Sequence, residues 1–287
     1  MARKSFRVWG ACLLLLLALC PAQAEKPKPG IEIAIAPFLS VRDLVQNYEP
    51  MRLYLEQRLR QPVLFITAPD YRSFHERTRK REYTYLITVG NAAYLAQAEA
   101  GYVPLLRPVH DTRPVLVVKK DMPLEHIVDL RGKVIALSDR LAVVSMQALP
   151  MLREAGLDPE RDLVLKHQGN HGAAVNHVLS GEAAAAIVSD RALMQMAPAI
   201  REAVRVVHGW DKGAAPGLLY LASPRLQRED RDRFTRAALD FVRTDEGRAL
   251  MERLGYGGLV PATQEDIRMF APYGAALKRA LAQPEQP

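Results

Sequence analysis

The stretch "VIALSDRLAVVSMQALPMLREAG", Val134–Gly156, decides the fold. Val134–Leu137 is a short apolar run bounded by polar residues, which predicts a buried strand. After the turn, an apolar stripe running to Gly156 predicts a helix closed by a glycine. A strand feeding a helix is the repeating unit of α/β proteins. The helix mouth made by such a turn offers backbone N–H groups and the positive end of a dipole, a common anion site. Here Leu141, Ala142, Val143 and Val144 fill the mouth where hydroxyls would serve an oxyanion.

The same alternation extends in both directions. "IEIAIAPF" (Ile31–Phe38) alternates as a strand, and Met51, Leu55 and Leu59 share one helical stripe. "YTYLITV" predicts a strand, followed by the helix "GNAAYLAQAEAG", opened by Asn91 and closed by Gly101. "LVLKHQG", "HGAAVNHVLSGE" and "AAAAIVS" repeat strand, helix, strand. Phe234, Ala238 and Phe241 mark a later helix, and Thr244 and Thr263 are expected N-caps. Two α/β units result, with long strands expected at 113–120 and 217–223 where the chain crosses between them. Two lobes joined by two crossing strands form a hinge with a cleft, a common place for a small ligand.

Residues 1–24 are excluded from the fold. Arg3, Lys4 and Arg7 precede the apolar run "GACLLLLLALC" and the small-x-small site Ala22-Gln23-Ala24. That is the pattern of a secretory signal peptide cut after Ala24, with an apolar core too short for a permanent span. A lipoprotein reading through Cys20 is disfavoured by the bulky Leu19 before it. Both cysteines, Cys12 and Cys20, fall in the leader, so the expected mature chain has no disulfide and no thiolate ligand. A chain of this size that is 49% hydrophobic can instead rely on a large apolar core. The proline-rich ends "EKPKPG" and "AQPEQP" are expected to be disordered.

The formal net charge of +7 falls to +4 without the three leader cations. The remaining arginines alternate with acids, as in "RLQREDRDRFTR", which marks a solvated helix face and not a nucleic-acid surface. No G-x-S-x-G elbow, H-E-x-x-H pair or phosphate-cradling glycine loop is present, so no catalytic constellation is expected. His167, His171 and His177 lack the spacing of a zinc pair, and neither metal nor cofactor is expected.

Five segments in order, "APDYRSF", "VGNAAY", "VLVVKKDMPLEHIVDLRGKVIAL", "QGNHGAAVNHVLSGEAAAA" and "ERLGYGGLVPA", resemble the periplasmic phosphonate/phosphate-type solute-binding proteins of ABC transporters. The resemblance runs from about Ile31 to Ala262. It implies the type 2 periplasmic binding-protein fold: two mixed, mostly parallel sheets covered by helices and joined by the hinge. Lobe 1 would comprise residues 25–112 and 217–287, and lobe 2 residues 113–216. It also implies a periplasmic receptor, expected as a monomer, that closes on a small molecule without chemistry and delivers it to an ABC permease. The alternative is a sensory or adaptor module that uses the same scaffold with a membrane-bound sensor as its partner.

The resemblance matches Tyr71 to a tyrosine that reaches the ligand, His171 to a histidine on the bound anion, and Gly90 and Asn91 to the first-lobe turn. Arg113, Ser138, Arg140, Asn170 and Arg191 complete the polar candidates. The chain departs from the pattern at the second-lobe mouth. Where the family carries a Ser-Thr-Ser-Gly-like run, Val143, Val144, Ser145 and Met146 stand here. Ala184 and Tyr85 replace aspartates, while Arg191 and Leu218 fall where aminophosphonate binders hold acids. The expected ligand therefore turns an apolar or weakly polar end toward Val143 and Val144, with Arg140 or Arg191 free to meet an anion from another side. The residues also admit plainer roles: Asn91 as an N-cap, and Arg140 and Arg191 as surface partners of Asp139 and Asp190.

Overall fold

The computed structural model describes residues 30–284. The leader, its cut, both cysteines and most of the two proline-rich ends lie outside the described residues. The chain begins β1 (Ile31–Ile35), α1 (Val41–Leu59), β2 (Val63–Ile66), α2 (Tyr71–Arg79), β3 (Tyr85–Thr88), α3 (Gly90–Ala100) and β4 (Val103–Pro108). It crosses into β5 (Pro114–Lys119), β6 (Val134–Leu137), α4 (Val143–Glu154), β7 (Val164–His167), α5 (His171–Ser180) and β8 (Ala185–Ser189). The short helices α6 (Asp190–Met194) and α7 (Pro198–Glu202) lead to β9 (Val204–Gly209). The return path is β10 (Leu219–Ala222), α8 (Arg228–Phe241), α9 (Asp245–Arg253), β11 (Leu259–Pro261), α10 (Gln264–Arg268) and α11 (Ala271–Ala282).

The strands form a six-stranded sheet, β11-β4-β10-β3-β1-β2, and a five-stranded sheet, β7-β6-β8-β5-β9. Both are mixed. Parallel pairing is confined to β1 with β2 and β3, and to β6 with β7 and β8. The strands beside the crossings pair antiparallel, because a strand entering from the other lobe has no covering helix to turn it round. Four of the nine pairings among the described residues are parallel, so the sheets are mixed and not, as expected, mostly parallel: parallel pairing holds within each βαβαβ unit, while the crossing strands and the β4–β11 pair are antiparallel.

The local chemistry explains the elements. Ser40 caps α1, its hydroxyl accepting from Asp43 N at 3.1 Å, and Leu44, Tyr48, Met51, Leu55 and Leu59 form the helix's buried stripe. β8 and β10 are buried at every position, as expected for strands covered on both faces. Thr244 and Thr263 cap α9 and α10 as predicted. Gly156, at φ 85°, ends α4 in the left-handed region where a side chain would be strained.

The two passages between the sheets meet at one bridge. Thr112 N donates to Ala215 O at 2.8 Å, and Ala215 N donates to Thr112 O at 3.0 Å. The strands expected at 113–120 and 217–223 begin just past this bridge, one in each sheet. Gly217 is required beside it, since a Cβ there would overlap the Thr112 side chain.

Candidate functional site

A cleft lies between the two sheets, bounded on the hinge side by Thr112 and the 213–218 segment. Its walls are built from strand-to-helix turns. Phe38 follows β1, Val89 precedes α3, Ala142, Val143 and Val144 open α4, and His171 opens α5. Ser189, Tyr256, Leu218 and Phe270 complete the enclosure. Crevices at the carboxyl ends of strands are the usual ligand position in open α/β sheets. The cavity within measures about 30 Å³, room for a water or two, so a larger solute requires the lobes to part.

Hydrogen bonds hold the lobes in this closed arrangement. Asn91 Nδ2 donates across the cleft to Leu141 O at 2.8 Å. His171 N donates to Phe38 O at 3.2 Å, and Asn47 Nδ2 to Gln195 O at 3.2 Å. Gln195 Nε2 donates to the Tyr256 hydroxyl at 2.9 Å. The first-lobe partners are Asn91, Phe38, Asn47 and Tyr256.

Three of the residues expected to meet a ligand, Val143, Val144 and His171, line the cleft. His171 is 3% exposed, its Nδ1 has no partner, and burial pushes its imidazole down to about 4. It is therefore neutral at physiological pH and offers no cationic charge. Ser145, the surviving hydroxyl of the α4 mouth, is committed elsewhere, since its Oγ donates to Ser138 O at 3.0 Å. Ser138 itself is fully buried beneath the turn.

The other candidates take structural places. Asn91 is not the cap of α3. The helix starts one residue earlier, Val89 holds the cap position without a side-chain bond, and the Asn91 amide crosses the cleft instead. A Cβ on Gly90 would overlap the Phe270 ring, so this glycine lets an aromatic side chain lie over the α3 mouth. Asn170 caps α5, accepting from Ala173 N at 2.9 Å. Tyr71 is buried away from the cavity lining. Its phenol has no partner, and burial, then the nearby Asp139, disfavours its ionisation.

The three arginines point to other partners. Arg113 forms ion pairs with Asp211 and Asp190. Arg191 Nε donates to Asp111 O at 3.2 Å, and its guanidinium lies against Met194 and Gly255. Arg140 lies in a separate depression with Asp70, Arg72 and Asp139, where its guanidinium donates to Pro284 O at 3.5 Å. Neither Arg140 nor Arg191 lines the cavity.

Sequence reasoning missed Phe38, Gln147, Ser189, Tyr256 and Phe270 as lining residues. Tyr256 had a signal, because Gly255, Gly257 and Gly258 around it all have positive φ and make a turn that fixes its position. Phe270 had none, as its place depends on how α10 and α11 pack against α3.

The two sheets, the paired crossings and the cleft define a two-lobed periplasmic binding-protein fold. Residues 33–267 match the family model described as "ABC transporter, phosphonate, periplasmic substrate-binding protein". The chain belongs to that family, whose members are substrate receptors for transport and not enzymes, and whose location is the periplasm. Solved structures agree on the fold. PhnD1 from Prochlorococcus marinus, in complex with methylphosphonate, superposes with a TM-score of 0.76 at 12% identity, covering 87% of this chain and 98% of that one. The binding-protein component of an ABC phosphonate transporter from Pseudomonas aeruginosa gives 0.74 at 15% identity, covering 90% of each chain. The periplasmic aliphatic sulphonate binding protein SsuA from Escherichia coli gives 0.60 at 17%, covering 89% of each.

Proposed function

We propose that this receptor closes on a small solute other than a phosphonate, one that turns an apolar face to the α4 mouth, and hands it to an ABC permease. The observation that carries the reading is the lining of that mouth. Val143 and Val144 face the cleft, and the hydroxyl that follows them in the first turn of α4, on Ser145, is spent on Ser138 O. Each missing hydroxyl donor removes about 0.5–1.5 kcal/mol, and more toward a charged acceptor. Two such losses weaken a phosphonate by roughly ten- to a hundredfold or more.

Calorimetric titration with phosphate, phosphite and methylphosphonate tests this reading. No binding below millimolar concentration is expected, and micromolar binding of any of the three would overturn it. A Val143→Ser/Val144→Thr double variant serves as the positive arm and should gain affinity for methylphosphonate.

A further inference from the structure

The lining of the cleft has a second property beyond its valines: among the described residues that line it there is no Asp, Glu, Lys or Arg. Three helix mouths open onto it, each with an apolar side chain or a carbonyl at its start. Phe270 lies over Gly90 at α3. Val143 and Val144 line the cleft at the start of α4, and the His171 N–H of α5 donates to Phe38 O. The positive ends of these helices therefore meet aromatic rings, methyl groups and a carbonyl before they would meet a ligand.

What remains is a small set of neutral polar atoms. Tyr256, 2% exposed, accepts from Gln195 Nε2 at 2.9 Å and from the Tyr48 phenol behind it, and with both lone pairs so used its own O–H proton is left to donate. His171 Nδ1 and Thr112 Oγ1 are buried without partners. Behind Tyr256 lie two more fully buried phenols, Tyr48, which hydrogen-bonds to the Tyr256 hydroxyl, and Tyr220, which has no partner, so the polar wall continues into the first lobe with hydroxyls and no charge. Buried polar groups left unpaired are costly, and a ligand that pairs them gains what the closed protein lacks. A full charge brought here would be stripped of water with no opposite charge to receive it.

We propose that the solute is uncharged, with a compact apolar body against Val143, Val144, Phe38 and Phe270 and one hydrogen-bonding group held by Tyr256, Thr112 and His171. The ligand class is a small amide, alcohol or similar neutral polar-apolar molecule. This rests on the reading that the cleft is a receptor site. It goes further by assigning the charge of the ligand and by naming Tyr256, Thr112 and His171 as its specificity-determining contacts.

The test uses matched pairs that differ only in charge: isobutyramide against isobutyrate, and methanesulfonamide against methanesulfonate and methylphosphonate. Thermal shift and calorimetry are read on the protein as purified from the periplasm, with mass spectrometry of any small molecule it retains. The expected result is that a neutral member raises the melting temperature and its charged partner does not, or that the retained molecule is neutral. Tyr256→Phe should weaken the neutral probe about five- to tenfold, with the fold checked by circular dichroism, and Thr112→Val should show the same sense. A charged partner that binds more tightly than its neutral isostere overturns the proposal and leaves the receptor reading intact. Neutral binding unaffected by both substitutions overturns the assigned contacts. If no probe binds and no molecule is retained, the proposal and the receptor reading fall together.

Discussion

His171 shows how burial alone changes what a residue does. Its side chain sits at the start of α5 within the cleft lining, and desolvation, the sole cause, lowers its pKa from 6.5 to about 4. The unfolded chain therefore binds more protons than the native one between these two values. Stability from the neutral imidazole is fully present above about pH 6.5 and is lost as the pH falls toward 4. The full span corresponds to roughly 3 kcal/mol. Denaturant unfolding at pH 7 and pH 4.5, for the wild type and His171→Gln, checks this. The wild type should lose more stability than the variant, and the comparison cancels the separate contributions of His75, lowered by burial, and Asp139, raised by it. Equal losses in the two proteins would mean that His171 is solvated and charges freely. The family likeness singled out this histidine from its neighbours "GN" and "GAA", but its neutrality depends on the second lobe meeting the first.

At the scale of single elements, caps were legible and mouths were not. Thr263 accepts from Asp266 N at 3.2 Å while the Asp266 carboxylate accepts from Thr263 N at 2.7 Å, a reciprocal arrangement that four residues of sequence suffice to specify. Removing it with Thr263→Ala should cost about 1 kcal/mol in chemical denaturation. Because α10 ends just before Phe270, the same change should loosen the ring over Gly90. Asn91 was misplaced by the same local logic that placed Thr263 correctly. An asparagine before a helical run is a good cap, but α3 starts at Gly90, where the bare Cα admits Phe270 from far along the chain. Likewise the valines of α4 were readable as valines, whereas the loss of Ser145 to Ser138 O required the turn to be seen folded. A hydroxyl counted from sequence is a donor only until a carbonyl three dimensions away claims it.

For the whole molecule, the alternation of strands and helices was enough to give two lobes, because each βαβ unit has to cover its own sheet. The pairing that joins the two passages is a single bridge at Thr112 and Ala215, too short for any periodic signal in the sequence. Such a pivot resists bending weakly, so the closed form depends on the bonds across the cleft. Asn91 is the strongest of these in geometry, with its amide 2.8 Å from the Leu141 carbonyl inside a buried setting. In Asn91→Ala that carbonyl is left unpaired while the lobes stay shut, at a cost of about 1–3 kcal/mol, and opening relieves the cost by admitting water. The substitution therefore penalises one state and spares the other, which shifts the equilibrium toward the open form by about fivefold to a hundredfold. Small-angle scattering should show a larger radius of gyration for Asn91→Ala than for the wild type, and a saturating ligand should bring the two together. Superimposable scattering from both proteins would show that packing of Phe38, Phe270 and the valines, and not this hydrogen bond, holds the lobes closed.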